Sequence, residues 1–163
     1  MERQIRLLDD TMNDITWHCK TFSELNAQEI YKILQLRIEV FAVEQNVVYQ
    51  DCDDKDFRSF HLTGWRDNQL IAYSRLLPPG IPYKNAASIG RVVTAASVRK
   101  SGMGKILMQR SIGEVYRLFG NCTIIISAQL YLEDFYTKFS FSSKGEAYIE
   151  DSIPHIKMER VPQ

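Results

Sequence analysis

Residues 89–118 read IGRVVTAASVRKSGMGKILMQRSIGEVYRL and contain three local patterns in succession. Residues 89–94 are rich in β-branched side chains, which predicts a strand. A short turn follows, and the apolar periodicity that begins near Gly102 predicts a helix. Gly102 and Gly104 let backbone N–H groups approach a ligand closely, because neither residue has a Cβ atom. A strand, a glycine-rich turn and a helix N-terminus in this order predict a binding site for a pyrophosphate.

Two well-known phosphate-binding motifs do not fit this turn. A Walker loop requires Ser or Thr after Gly-Lys, but Lys105 is followed by Ile106. A dinucleotide-binding fingerprint requires a third small residue, and this chain has Leu107 in that place. The spacing that does fit is Arg-x-x-Gly-x-Gly at residues 99–104, directly after the predicted strand. The alternative is an ordinary strand-to-helix turn whose glycines serve packing.

Composition favours a single soluble domain. The chain has 163 residues, of which 45% are hydrophobic and 25% are charged, as in an average globular protein. The formal net charge is zero, so nucleic acid or an anionic membrane is not expected as a partner. Residues 1–14 carry acidic side chains where a signal peptide has its apolar core. We therefore expect a cytoplasmic protein with a lead-in at residues 1–13 and one domain at residues 14–163.

Neither the cysteines nor the acidic loop of residues 50–56 indicates a metal site, and we expect no metal. Cys19, Cys52 and Cys122 are odd in number and widely spaced, which predicts free thiols that are buried or half-buried. The acidic loop lacks the glycine and the glutamate of a calcium-binding EF-hand. It is either a solvated loop or a negative rim that attracts a cationic amine.

The remaining patterns predict the order strand, helix, three strands, helix, strand, helix and two strands. Residues 15–22 alternate as a first strand does, and Ser23 or Asn26 could cap the helix that follows and runs to about residue 45. Two strand-like runs, residues 57–65 and 69–77, flank Asp-Asn as in a hairpin. This order is typical of the α/β class, here an α+β mixed sheet with helices on both faces.

Several ordered segments resemble the GNAT superfamily of N-acetyltransferases. Residues 99–104 look like its acyl-CoA signature, and FYTKFSF at residues 135–141 is similar to its F-Y-x-x-x-G-F segment. The resemblance covers roughly residues 17–159 and extends to the narrower ElaA-like group. Members of this group resemble the chain in VFAVEQ (residues 40–45), HL (61–62), RLLP (75–78), IGRVV (89–93), AQ (128–129) and EDSIPH (150–155).

The chain departs from these patterns at two positions. Ser140 and Ser152 stand where the family and the narrower group, respectively, have glycine. If either position requires a positive φ angle, serine costs about 1 kcal/mol or more there. Neither residue is expected to take part in the chemistry, so both are interpreted as loop adjustments.

The resemblance implies a GNAT fold that binds acetyl-CoA between the fourth and fifth strands. The pantetheine amides would pair with the fourth strand, and the N–H groups of residues 100–105 would hold the pyrophosphate. The cationic side chains of this turn would add charge attraction, or they are simply the solvated start of a helix. The expected cofactor-binding residues are Val92, Val93, Thr94, Arg99, Lys100, Ser101, Gly102, Met103, Gly104 and Lys105.

The reaction implied by the resemblance is direct acetyl transfer to a primary amine, without a covalent enzyme intermediate. Tyr136 is the expected general acid for the departing thiolate, since a phenol with a pKa near 10 stays protonated at pH 7. The same residue could instead be a core tyrosine. The base is left open between Glu44, His61 and a route through water. Residues expected to shape the acceptor pocket, unless ion pairs hold them, are Arg75, Arg91 and His155.

Two other functions stay open at this point. One is a non-catalytic acyl-CoA-binding or regulatory module, and the other is a protein or peptide N-acetyltransferase. We favour a small amine as acceptor, because a compact chain without net charge offers no evident docking surface for a long peptide. An exposed strand edge would make a homodimer plausible.

Overall fold

The computed structural model describes residues 14–162, whose strands form a seven-stranded mixed sheet with the order β1-β2-β3-β4-β5-β7-β6. The predicted lead-in at residues 1–13 lies outside the described residues. The strands are β1 (Thr16–Thr21), β2 (Phe60–Arg66), β3 (Gln69–Leu77), β4 (Ala87–Thr94), β5 (Ile124–Gln129), β6 (Ser142–Glu150) and β7 (Ile153–Arg160). The α-helices are α1 (Ala27–Arg37), α2 (Met103–Phe119) and α3 (Glu133–Thr137), and a π-helical segment, Ile38–Glu44, continues α1.

The predicted element order and fold class are confirmed. Asp67 and Asn68 form the two-residue hairpin turn between β2 and β3 with φ angles of 49° and 61°, as a type I′ turn requires. One boundary is wrong: residues 57–59 are not part of a strand. A 3₁₀ turn, Lys55–Arg58, follows the left-handed Asp54, so β2 begins only at Phe60.

Helices cover both faces of the sheet, and β3 is consequently buried on both sides. On one face the apolar stripe of α2, including Leu107 and Val115, packs on the main core. On the other face Ile33 and Leu36 of α1 pack against Tyr73. No helix within residues 14–162 has the length and apolarity to cross a membrane.

Asn26 rather than Ser23 begins α1. Its Oδ1 atom accepts a hydrogen bond from the Glu29 N–H at 2.9 Å, and the Glu29 carboxylate accepts one from the Asn26 N–H at 2.9 Å. This reciprocal capping box satisfies two N–H groups that the helix cannot pair itself. Residues 26–29 therefore determine where α1 begins.

The two central parallel strands separate soon after they begin. Strand β4 pairs with β5 only at Ala87–Ile124 and Ser88–Ile125. Beyond this point β4 is hydrogen-bonded only to β3, and β5 only to β7, among the described strands. Residues 89–94 of β4 thus have no strand partner on the β5 side within the described residues, and a V-shaped gap opens in the sheet.

A bulge in β4 lies beside this gap. Tyr73 pairs with Val93 and Arg75 pairs with Gly90, so β4 has one more residue than β3 between the same two pairs. Within this stretch Arg91 has a φ angle of 49°, which is uncommon for a residue with a side chain. A bulge increases the local twist and turns backbone groups away from the ladder.

Candidate active site

The gap between β4 and β5 opens into a cleft of about 930 Å³. Its walls come from β4, β5, β7, the end of β6, the π-helical segment and the loop before β4. Among the residues predicted from sequence, the cleft is lined by Arg75, Arg91, Val92, Val93, Thr94, Arg99, Tyr136 and His155.

The predicted pyrophosphate site is the turn that leads into α2. Gly102 precedes the helix with a φ angle of 88°. Its carbonyl oxygen accepts hydrogen bonds from the N–H groups of Lys105 (3.0 Å) and Ile106 (3.3 Å). The N–H groups of residues 100–104 have no partner within residues 14–162. Such a run of free donors at a helix N-terminus suits an anion.

The glycines of this turn are not required by packing within the protein. A Cβ atom at Gly102 would meet nothing within 4 Å, although the positive φ angle itself favours glycine there. A Cβ atom at Gly104 would meet only the Phe135 ring, at an ordinary contact distance of 3.9 Å. Space for a ligand beside the free N–H groups therefore explains Gly104 better than helix packing does.

Polar side chains support this turn in two ways. The Ser101 hydroxyl donates to the Val98 carbonyl oxygen at 2.6 Å and so holds the turn closed. Lys100 and Lys105 are exposed beside the free N–H groups. Their positive charges would attract a phosphate without blocking it.

Glu44, one of the two predicted bases, does not line the cleft. Its carboxylate lies 2.8 Å from the Arg99 guanidinium and forms an ion pair with it. This contact joins the end of the π-helical segment to the turn before α2. The position argues for a role in orienting Arg99 and against proton abstraction from an amine.

His61, the other predicted base, is buried and also lies away from the cleft lining. Its Nδ1 atom lies 2.9 Å from the Tyr73 hydroxyl and its Nε2 atom 3.0 Å from the Asp56 carbonyl oxygen. Burial lowers the pKa of His61, so the ring stays neutral. Because both ring nitrogens have internal partners, this geometry argues against proton abstraction by His61, and its role as a base stays a prediction.

Tyr136 lies on α3 and lines the cleft at the side of β5. The Phe135 and Phe141 rings meet its ring edge-on, with centroid distances of 5.1 and 6.1 Å. Burial, with a smaller effect of the neighbouring Tyr131, raises the pKa of Tyr136 to about 12. Its hydroxyl has no hydrogen-bond partner among residues 14–162. A protonated phenol thus faces the cleft with its donor free.

The acidic loop is only partly solvated and most of its charge is paired within the protein, contrary to both interpretations from sequence. Asp51 and Asp56 are buried and bind the fully buried Arg37 at 2.8 and 2.7 Å. Arg75 pairs with Asp53 at 2.6 Å. Although burial opposes it, the Arg75 guanidinium holds the pKa of Asp53 well below its usual range. Asp51, Asp53 and Asp56 are therefore paired inside the protein, whereas Asp54 is exposed.

Arg75 and Arg91 reach the cleft but belong to this network of ion pairs. Arg91 Nε lies 2.8 Å from Asp51 Oδ1. The alternative that ion pairs hold these two arginines, which the sequence left open, matches the geometry. Sequence reasoning missed Arg37 altogether, since a single arginine in a helix pattern carries no signal of a buried partner.

His155 lies on β7 in the wall of the cleft, opposite Gln129 of β5. Its Nδ1 atom lies 2.8 Å from the Ile153 carbonyl oxygen, and a carbonyl oxygen can only accept. The proton of the neutral ring is therefore on Nδ1, and Nε2 carries the free lone pair. The Tyr148 ring stacks on the imidazole at a centroid distance of 6.2 Å.

Four further residues complete this wall and were not predicted as site residues. Ser127 of β5, Tyr148 and Glu150 of β6 and Tyr83 of the loop before β4 all line the cleft. The period of two between Tyr148 and Glu150 placed both on one face of a strand, and Glu150 also begins the EDSIPH segment of the family resemblance.

The cysteines are free. Cys19 and Cys122 are partly buried as expected, but Cys52 is exposed, contrary to the expectation. Burial, with Glu114 nearby, raises the pKa of the Cys19 thiol to about 12, so this thiol is unreactive.

Comparison with known proteins agrees with this geometry. A family model described as an acetyltransferase (GNAT) domain matches residues 23–161. An acyl-CoA N-acyltransferase from Pseudomonas aeruginosa is 42% identical with a TM-score of 0.86, covering 90% of this chain and 99% of that one. ElaA from Escherichia coli is 36% identical over 148 residues, covering 90% of this chain and 96% of ElaA, and its crystal structure gives a TM-score of 0.84.

A more distant structure shares the fold alone. An aminoglycoside 6′-N-acetyltransferase complexed with coenzyme A is 16% identical with a TM-score of 0.66, covering 90% of this chain and 98% of that one.

The separated central strands and the glycine turn at a helix N-terminus define an acyltransferase of the kind that takes acyl-CoA as co-substrate. The chain belongs to the GNAT acetyltransferase family, whose model spans most of its length. Within the family its relatives include ElaA, which confirms the narrower resemblance.

Proposed function

We propose that the protein transfers the acetyl group of acetyl-CoA to a primary amine of a small molecule, and that it does so in the cytoplasm. The observation that carries this proposal is the continuous path from the unpaired edge of β4 to the free N–H groups of residues 100–104. An acyl donor with a pyrophosphate at one end and amides along its length matches this path. The aminoglycoside acetyltransferase of the same fold binds coenzyme A.

Donor binding would use backbone groups more than side chains. Backbone groups of Val92, Val93 and Thr94 would pair with the amides of the donor, as an added strand does. The free N–H groups before α2 would hold the pyrophosphate, with Lys100 and Lys105 adding charge. The same β4 edge provides N–H groups for the carbonyl oxygen as it becomes negative.

Direct attack forms a bond between the amine nitrogen and the carbonyl carbon of the thioester, and the bond from that carbon to sulfur breaks. The nitrogen loses a proton and the leaving sulfur gains one. Tyr136 would donate the proton to sulfur, since its raised pKa keeps it protonated at neutral pH. The donor then leaves as the free thiol.

His155 would accept the proton from the amine, directly or through one water molecule. Its Nε2 lone pair is available because Nδ1 donates to the Ile153 carbonyl oxygen. This role replaces the expectation for Glu44 and His61, whose side chains are engaged elsewhere. The water route left open by the sequence is retained.

Two measurements test the proposed function. Thermal unfolding with acetyl-CoA reports binding, because a ligand at 100 times its dissociation constant stabilises the folded state by about 2.7 kcal/mol. Release of free thiol from acetyl-CoA in the presence of a panel of small amines reports transfer. Binding without thiol release from any acceptor would indicate an acyl-CoA-binding module. Thiol release only with peptides would indicate a peptide acetyltransferase instead.

A further inference from the structure

The wall of the cleft around Glu150 carries negative charge beside two tyrosine rings. We propose that the acceptor is a diamine or polyamine, whose second ammonium group binds at Glu150 while the first is acetylated. This inference rests on the proposed acetyl transfer and adds the class of acceptor.

Every lysine and arginine that lines the cleft already has an internal carboxylate partner. Each cation is therefore screened by a carboxylate, although the loop network keeps one positive charge, since four cations share three aspartates. The pairs are Arg75–Asp53 (2.6 Å), Lys55–Asp53 (3.4 Å), Arg91–Asp51 (2.8 Å) and Arg99–Glu44 (2.8 Å).

Glu150 differs from these carboxylates, because no cation within residues 14–162 pairs with it. The Ser127 hydroxyl donates to Glu150 Oε2 at 2.7 Å. Since that single proton is used, the Tyr148 hydroxyl must donate to Ser127 Oγ, 2.6 Å away. This chain of two hydrogen bonds holds the carboxylate in the cleft wall and leaves Oε1 free for a ligand.

Aromatic rings next to Glu150 suit a cation as well. Tyr83, Tyr148 and Glu150 line the same cleft, and burial followed by the charges of Tyr148 and Glu150 raises the pKa of Tyr83. The Lys157 ammonium already lies 5.2 Å from the centroid of the Tyr83 ring. Its charge opposes a second cation here, whereas Glu150 and the adjacent Asp151, which both line the cleft, attract one. A ligand cation can therefore contact both carboxylate and ring.

The spacing of residues along β5 gives the distance between the two places where the ends of the acceptor would bind. Ser127, which binds Glu150, and Gln129, which pairs with His155, are two residues apart on one face of the strand. Two residues of a strand span about 7 Å. A five-carbon diamine can bring one nitrogen to Glu150 while the other lies near His155.

The test compares cadaverine, which is such a diamine, with pentylamine, which has the same carbon chain and one ammonium group. We expect the wild-type kcat/KM for cadaverine to exceed that for pentylamine at least tenfold, the effect of about one charged hydrogen bond. Glu150→Gln should lower this ratio about tenfold. Glu146→Gln removes an exposed carboxylate of the same strand outside the cleft and should leave the ratio unchanged.

A readout without turnover uses thermal unfolding in the presence of coenzyme A. Cadaverine should then raise the Tm of the wild type and of Glu146→Gln more than that of Glu150→Gln. Equal kcat/KM for both amines, or a ratio unaffected by Glu150→Gln, would overturn the diamine inference while leaving acetyl transfer intact. Absence of thiol release with every amine would overturn the proposed function and the inference with it.

Discussion

Individual residues near the cleft differ in how far their contacts restrict them. Glu44 and His61 are titratable groups held by internal partners, whereas Tyr136 and His155 present a free donor and a free acceptor to the cleft. Ser152 lies in the turn between β6 and β7 with a φ angle of 65°, and Ser140 has a φ angle of 62°. Both positions therefore favour glycine, as the family patterns have it, and serine is costly at each.

Replacing Tyr136 by Phe removes the proposed proton donor and keeps the ring in its aromatic cluster. We expect turnover to fall roughly 10²–10⁴-fold, as for other general acids, with acetyl-CoA affinity nearly unchanged. Steady-state kinetics and calorimetric titration measure the two effects. Tyr31→Phe, at an exposed position outside the cleft, is the control. Equal turnover of Tyr136→Phe and wild type would contradict the assignment.

Replacing His155 by Gln removes the proposed proton acceptor, while an amide N–H can still reach the Ile153 carbonyl oxygen. We expect turnover to fall roughly 10²–10⁴-fold. Added imidazole should restore part of the rate, which it would not do if His155 only supported the strand. His18→Gln, on the exposed side of β1, serves as the matched variant. A wild-type rate in His155→Gln would rule out this role.

At the scale of elements, two irregular segments form the cleft. The bulge in β4 and the short pairing with β5 open the sheet at its centre. The π-helical continuation of α1 brings Val40, Phe41 and Gln45 to the cleft. Such π-helical turns occur frequently at functional sites. Regular helix and sheet geometry would have closed this space.

The N-terminus of α2 provides a prediction in which stability and binding change in opposite directions. Gly104→Ala adds a methyl group that the fold accommodates, so the free energy of unfolding should rise by up to about 1 kcal/mol. The methyl group would occupy space beside the free N–H groups, so acetyl-CoA affinity should fall about ten- to hundredfold, the loss of one charged hydrogen bond or two. Urea unfolding and calorimetric titration measure the two quantities.

Gly113→Ala is the control for this change. Gly113 lies in the same helix with open space around its Cα atom, so alanine should stabilise the helix without affecting affinity. Unchanged acetyl-CoA affinity in Gly104→Ala would show that the pyrophosphate lies elsewhere.

At the scale of the molecule, a network of ion pairs joins α1, the acidic loop, β3 and β4. Arg37, Arg75 and Arg91 come from the three regular elements, and the loop aspartates lie between them. The network holds the loop in the wall of the cleft, which Asp53 and Lys55 line, and a buried network of this kind depends on every member being paired. The sheet ends in the exposed strand β6, and a homodimer through such an edge stays a prediction.

This network and His61 together predict how stability depends on pH. Because the pKa of His61 is lower in the folded state, the unfolded chain takes up a proton first on acidification. The free energy of unfolding therefore decreases as the pH is lowered from about 6.5. The folded state also lowers the pKa of Asp53 and Asp56, and that stabilisation is lost below about pH 4. We expect two successive losses on acidification, measured by urea unfolding at each pH.

His61→Gln should remove the loss between pH 6.5 and pH 5 and keep the one at lower pH. His18→Gln replaces an exposed histidine and should keep both. A free energy of unfolding that stays constant in the wild type from pH 7 to pH 5 would contradict the buried neutral state of His61.

Local sequence was enough to predict the order of elements and the glycine turn before α2, whereas Tyr136 was singled out by the family resemblance. The first two features depend on neighbouring residues, through strand and helix periodicity and the geometry of a helix start. Tertiary structure alone decided which charges are neutralised and which reach the cleft. Arg99 and Glu44 are 55 positions apart and Ser127 and Glu150 are 23 apart. No local pattern reports such contacts, because they depend on how separate strands and helices pack.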